Sequence, residues 1–268
     1  MKHVLILLLL LCSQASAIQG LFISEFTYEY GFLGVISHIA QFSEDGTEID
    51  YRDEGAQDIL FPFSRIQVAV STHPHRFFLL YQPLEITTVE NAQRDLLIDE
   101  EVFEENTPIR FKYSFPFYRA GYTYSFTDPF SRFQFAAGGA LQIRNANISF
   151  TSLDGNQLRT NRDVGLVPLL RIISSWRINP DWLLQTEIDG IYAPVRYLNL
   201  SDTDVEGAFI DANLRAIYAG AGFVSVYSNI RYLAGGAEGT SDPNGPGDGF
   251  VRNWLQFLTL SLGLSLSI

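Results

Sequence analysis

From Arg110 to Arg144 an aromatic, aliphatic or small residue recurs at every second position. Phe111, Tyr113, Phe115 and Phe117 alternate with Arg110, Lys112, Ser114 and Pro116. After Phe117 the phase moves by one, and Tyr118, Ala120, Tyr122, Tyr124 and Phe126 run against Arg119, Gly121, Thr123 and Ser125. Beyond a turn at Asp128-Pro129-Phe130-Ser131, Phe133, Phe135, Ala137, Gly139, Leu141 and Ile143 alternate with Gln134 through Arg144. A period of two predicts strands with unlike faces. The phase change at Pro116–Tyr118 predicts a β-bulge that exchanges the faces. These strands exceed the ~5–6 residues common in soluble sheets. A tilted strand crossing a bilayer takes ~9–11 residues in hydrocarbon, and lipid tolerates no unpaired backbone, so such strands must close into a barrel.

The same pattern predicts further strands at 21–41, 59–72, 76–85, 164–177, 182–192, 210–218, 224–232 and 254–268. Short connections at 73–75, 128–131, 179–181 and 219–222 alternate with longer polar ones, as in barrels with short periplasmic turns and long outer loops. The expected fold is all-β: a closed antiparallel transmembrane β-barrel of about ten strands, with eight or twelve as alternative counts. Residues 48–57 are expected to project from the membrane, and the Gly-rich stretch 235–249 to form a loop. Within the loop 86–108, Leu96-Leu97-Ile98 and Val102-Phe103 predict a small hairpin. Trp176, Trp182, Tyr218 and Phe223 flank short turns, where an aromatic girdle would sit.

Composition narrows the setting. The chain has 268 residues, a net charge of −12, 13 Tyr and 21 Phe, and no basic patch, which excludes nucleic acid as a partner. Lys2 and His3, the apolar run Val4–Leu11 and Ala15-Ser16-Ala17 read as a signal peptide over 1–17, with the barrel domain over 18–268. Cys12, the one cysteine, lies inside that leader, and Leu11 before it does not suit a lipoprotein signal. No apolar run approaches the ~18 residues of a spanning helix.

These strands resemble bacterial outer-membrane β-barrel proteins. A narrower likeness, to an uncharacterised porin-like family of Gram-negative bacteria, rests on His75-Arg76-Phe77 through Tyr81-Gln82-Pro83-Leu84, on Arg94-Asp95 and on Tyr118-Arg119-Ala120-Gly121-Tyr122. The resemblance implies location in the outer membrane, contact with its lipid and lipopolysaccharide, and insertion by the barrel-assembly machinery. Such barrels commonly end in Phe or Trp, whereas this chain ends in Ile268.

Three chemistries suggest themselves. Glu25, Glu29, Arg65, Arg110, Lys112, Arg119, Arg144, Arg171, Arg177, Glu187, Asp189, Asp211, Arg215 and Arg231 share the inward phase and predict a paired lumen network, either a plug or an Arg-lined conduit. A lumen this narrow is filled by side chains, which favours the plug. The acids of the long loop, Asp99, Glu100, Glu101, Glu104 and Glu105, are weak candidates for a divalent cation without EF-hand spacing. His38 is a weak candidate for a barrel hydrolase acting on lipid or peptide at the outer rim, but Ser37 beside it points to the other face. No cofactor is expected. A structural or porin-like barrel is the main reading, with the barrel enzyme and a secreted soluble β-sandwich as alternatives.

Overall fold

The computed structural model describes residues 23–194, 205–219, 223–240 and 248–268. The leader 1–17, residues 201–204 of a predicted loop and residues 220–222 of a predicted turn lie outside the described residues. In chain order the strands are β1 (Ile23–Phe42), β2 (Ile49–Asp50), β3 (Leu60–Thr72), β4 (His75–Gln82), β5 (Glu85–Asn91), β6 (Leu96–Ile98), β7 (Glu101–Phe103), β8 (Pro108–Ser114), β9 (Phe117–Ser125), β10 (Phe133–Ser152), β11 (Leu158–Arg177), β12 (Trp182–Pro194), β13 (Glu206–Ala219), β14 (Val224–Thr240) and β15 (Phe250–Ser267). β1, β3, β4, β9, β10, β11, β12, β13, β14 and β15 pair antiparallel in turn, and β15 returns to β1 from Glu25↔Ser267 to Phe42↔Val251. The result is a closed ten-stranded barrel with extra strands outside the ring. β14 runs through Gly235 and Gly236, which were expected in a loop: Gly236 pairs with Trp254 and Gly235 with Leu255.

Outward positions carry the apolar belt. Phe32, Leu79, Leu141, Leu170, Ile172, Leu214, Ile230, Leu260 and Leu262 are all exposed. Leaving so many large apolar side chains on a continuous surface suits hydrocarbon and not water. Trp176, Trp182, Tyr218 and Phe223 face outward at the short-turn end, with Phe126, Phe130 and Phe133, as a girdle does. Trp182 pairs across the sheet with Tyr218, their rings 5.3 Å apart.

The bulge expected at Pro116 is absent. β10 pairs with β8 from Asn147↔Ser114 and with β9 from Arg144↔Phe117, so no residue is added and the odd-numbered side chains point inward throughout. What changes is the surroundings. Along β9 the outward residues meet the apolar belt. Along β8 Ile109, Phe111 and Tyr113 turn into an apolar interior, while Arg110 stays exposed and Lys112 pairs with Glu85. The apolar residues therefore change faces because water replaces lipid outside the wall. The face-switching bulge lies instead on β1, between Val35 and Ser37. It brings His38, Ala40 and Phe42 inward.

Residues 48–57 were expected to project outward, but they fold over the barrel with the rest of the segment 43–59. Ile49, Tyr51 and Gln57 are buried. β3 pairs with β4 only from Ile66↔Tyr81 downward, which leaves its outer half without that partner. This segment covers the break: Thr88 donates to the Gly55 carbonyl at 2.5 Å, and Arg94 bonds Glu54. The predicted small hairpin forms as β6 and β7, and its Leu96, Ile98 and Phe103 sit on the same apolar interior as Phe42 and Phe150.

Candidate functional site

Each barrel strand contributes inward polar residues at mid-height, and the register sets their level. β11 places Arg171 opposite Asp189 of β12, and Asp189 lies opposite Asp211 of β13. β13 sets Asn213 opposite Arg231 of β14, and β1 sets Glu29 opposite Arg65 of β3. Like charges directly opposite each other, such as Asp189 and Asp211, repel. Arg119 of β9 reaches across the lumen to hold both, its Nη1 lying 2.5 Å from Asp189 and 3.0 Å from Asp211.

The remaining contacts link these pairs into one layer. Arg65 Nη1 donates to Asp211 at 3.0 Å, and Arg231 to Asp211 at 2.5 Å and Glu29 at 3.4 Å. Arg171 bridges Glu187 (2.9 Å) and Asp189 (2.7 Å), while Arg215 donates to Glu187 at 3.2 Å. Three guanidinium groups also lie over rings: Arg171 over Phe78 at 4.1 Å, Arg119 over Phe117 at 5.3 Å and Arg215 over Tyr227 at 5.1 Å. Tyr227 lies against Gly263, where any Cβ would strike its ring. Five arginines and four carboxylates thus pair with one another, with almost no exposure to solvent. Buried charge is tolerable only when paired and hydrogen-bonded in this way.

Nine of the fourteen predicted lumen residues meet here: Glu29, Arg65, Arg119, Arg171, Glu187, Asp189, Asp211, Arg215 and Arg231. Glu25 sits nearer the short turns and pairs separately with Arg76 at 2.8 Å. Arg144 lines a cavity on the outer side of the layer. Arg110 and Arg177 are corrected to exposed positions, and Lys112 to its pair with Glu85. Arg110 and Lys112 stand on the outward face of β8, and Arg177 ends β11 at the turn. The neutral partners of the layer were not anticipated. Gln82 accepts from Arg65, Gln142 from Arg119, and Asn229 and Ser261 donate to Glu29. Their inward phase was the available signal, yet an amide or hydroxyl at such a position carries no charge to mark it.

His38 is fully buried. Its Nδ1 lies 2.9 Å from Gln57 Oε1 and its Nε2 3.2 Å from Asn253 Oδ1. Tyr51 stacks on the ring at 4.3 Å, and Tyr113 meets it edge-on. Asp99 is the buried member of the loop acids. It accepts from Arg159, while its burial raises the carboxyl above the usual range. Glu100, Glu101, Glu104 and Glu105 are exposed, and among the described residues no group of three or more His, Cys, Asp or Glu could hold a metal.

No protein-family model matches the chain, and no curated protein matches it in sequence. Several solved structures share its shape. The outer-membrane protease OmpT from Escherichia coli aligns with a TM-score of 0.47 at 11% identity, covering 92% of this chain and 97% of that one. Ail of Yersinia pestis, in complex with the heparin analogue sucrose octasulfate, gives 0.37 at 10% identity over 89% and 98%. The Pseudomonas putida toluene transporter TodX gives 0.35 at 9% identity over 96% and 92%. These are likenesses of overall shape alone, and the closed ten-stranded barrel stands on the chain's own strand pairing.

Proposed function

We propose that the protein is an integral outer-membrane barrel whose axial route is closed, exported by its leader and held as a scaffold with a covered, acidic outer face. The observation that carries this reading is the lumen layer. Its nine charged residues are each at most 5% exposed and are tied together by ion pairs from wall to wall. Ten strands enclose a lumen that side chains can fill, whereas aqueous channels are typical of roughly 16–18 strands. On the outer side the segment 43–59 and the β6–β7 hairpin add an apolar cap. Lipid and lipopolysaccharide would meet the apolar belt, and the barrel-assembly machinery would insert it.

His38 supports a structural part in this arrangement. Both ring nitrogens are engaged by amide oxygens, and aromatic rings enclose it, so a substrate would have to displace Tyr51 or Tyr113. The porin-like scaffold is tested in proteoliposomes diluted into a small sugar such as arabinose. Swelling no faster than in protein-free vesicles is expected. Rapid swelling in proportion to protein would overturn the closed reading. Peptide or lipid hydrolysis lost on His38→Ala would favour the enzyme instead.

A further inference from the structure

The barrel wall has a second break, on the side opposite the covered one. β11 and β12 pair from Arg177↔Leu183 up to Leu170↔Gly190. Above that level no β11–β12 pair occurs among the described residues, although β11 continues to Leu158 against β10 and β12 to Pro194 against β13. The cause is legible in the backbone. Arg177 donates its N–H to Arg132 on the β10 side, and Ile178 donates to Trp182 on the β12 side. Directions alternate along a strand in unbroken register. Even-numbered residues of β11 therefore face β12, and Pro168, which has no N–H, falls on that side just past the last pair. The same alternation on β12, read from the Trp182 carbonyl, turns the nitrogen of Pro194 toward β11. Proline is confined to such unpaired edges.

The slot lies at membrane depth. Val164, Leu166 and Leu170 on one edge and Tyr192 on the other are exposed apolar residues of the outward face, at 69%, 59%, 74% and 72%. Behind it is a cavity of about 420 Å³, within the ~300–1,000 Å³ of small-molecule sites. Val167, Ile191, Phe209, Leu233 and Leu255 give it apolar walls. Arg144 and Gln142 are among its polar lining. The Gln142 oxygen accepts from Arg119 Nε at 3.0 Å and Nη2 at 2.7 Å, which fixes the amide and leaves Nε2 buried without a protein acceptor. Arg144 and Arg162 are both among the residues that line this cavity.

We infer that this cavity binds an anionic single-chain amphiphile, its acyl chain admitted sideways from the membrane between β11 and β12 and its headgroup held by Arg144 and Gln142. The inference rests on the reading of the chain as a membrane barrel. It needs no axial pore, so its failure leaves the swelling result untouched.

The test uses the full-length protein in phosphatidylcholine nanodiscs with palmitate carrying a mid-chain diazirine. Photolabelling is expected on the peptides that contain Val167 and Ile191. Unlabelled palmitate, lysophosphatidylglycerol or both should compete, identifying the headgroup as carboxylate, phosphate or either. Hexadecanol, with the chain but no charge, should compete about tenfold less well, the weight of one charge-assisted contact. Val167→Trp should fill the cavity and remove label from the Ile191 peptide, and Arg144→Gln should erase the advantage over hexadecanol. Both variants should keep heat-modifiable migration as proof of folding. Label spread evenly over the outward face, label on the Leu80 peptide of the covered side, or equal competition by hexadecanol would overturn the inference.

Discussion

Arg119 and Arg110 sit on the same run of alternating residues, yet their surroundings could hardly differ more. Arg119 reconciles two carboxylates that the register sets face to face, with Gln142 taking its other N–H groups. Arg119→Ala would leave Asp189 and Asp211 buried and opposed. The expected loss is ~3–5 kcal/mol of unfolding free energy, read from urea titration of the heat-modifiable band. Arg110→Ala, on the exposed outer face of β8, should change it by no more than ~0.5 kcal/mol. Sequence alternation identified both as lying opposite aromatics. It could not say at what height each stands, and height decides whether the outward direction meets lipid or water. For the same reason nine lumen charges were legible at positions such as Arg171 and Glu187, while Arg110 and Lys112 were assigned to the wrong side.

At the scale of the strand, the ladder ends are the informative features. Along β11 above Leu170, the N–H of Leu166 faces the side on which no β12 pair occurs among the described residues, while those of Gly165, Val167 and Leu169 bond to β10. Amide exchange followed by NMR should therefore alternate, fast at the even positions and slow at the odd ones, with uniform protection from Leu170 to Trp176. Equal protection at Leu166 and Val167 would show a sealed wall. The core of each barrel strand was readable from period-two patterning, from Ile66-Val68-Val70 on β3 to Leu258-Leu260-Leu262 on β15. The β1 bulge beside Ile36 was not, because Ile36, Ser37 and His38 satisfy either phase. Nor was the extension of β14 through Gly235 and Gly236, since glycine signals a turn locally and only the ladder to Trp254 and Leu255 overrides it.

Taken whole, the interior is stacked in levels. A vestibule of about 380 Å³ at the short-turn end contains Glu25 and Arg76. The charged layer closes its roof, and beyond that lie the apolar cap on one side and the slotted cavity on the other. The cap behaves as an ordinary hydrophobic core, with Phe111 meeting Tyr51 at 5.8 Å and Phe150 at 5.7 Å. Phe111→Ala should cost ~3–5 kcal/mol there, detectable as a lower melting temperature, whereas Tyr118→Ala on the lipid side of β9 leaves no internal cavity and should cost far less. The layering was hidden from the sequence because segment 43–59 and the β6–β7 hairpin are polar enough to pass for outer loops. Only their contacts show them folded inward.

The charged layer as a seal across the lumen is tested most directly by single-channel recording in planar bilayers. The account predicts a silent wild-type protein, with flickering current appearing only when Arg119 and Arg171 are replaced together by alanine. Large, stable conductance steps from the wild type would contradict it.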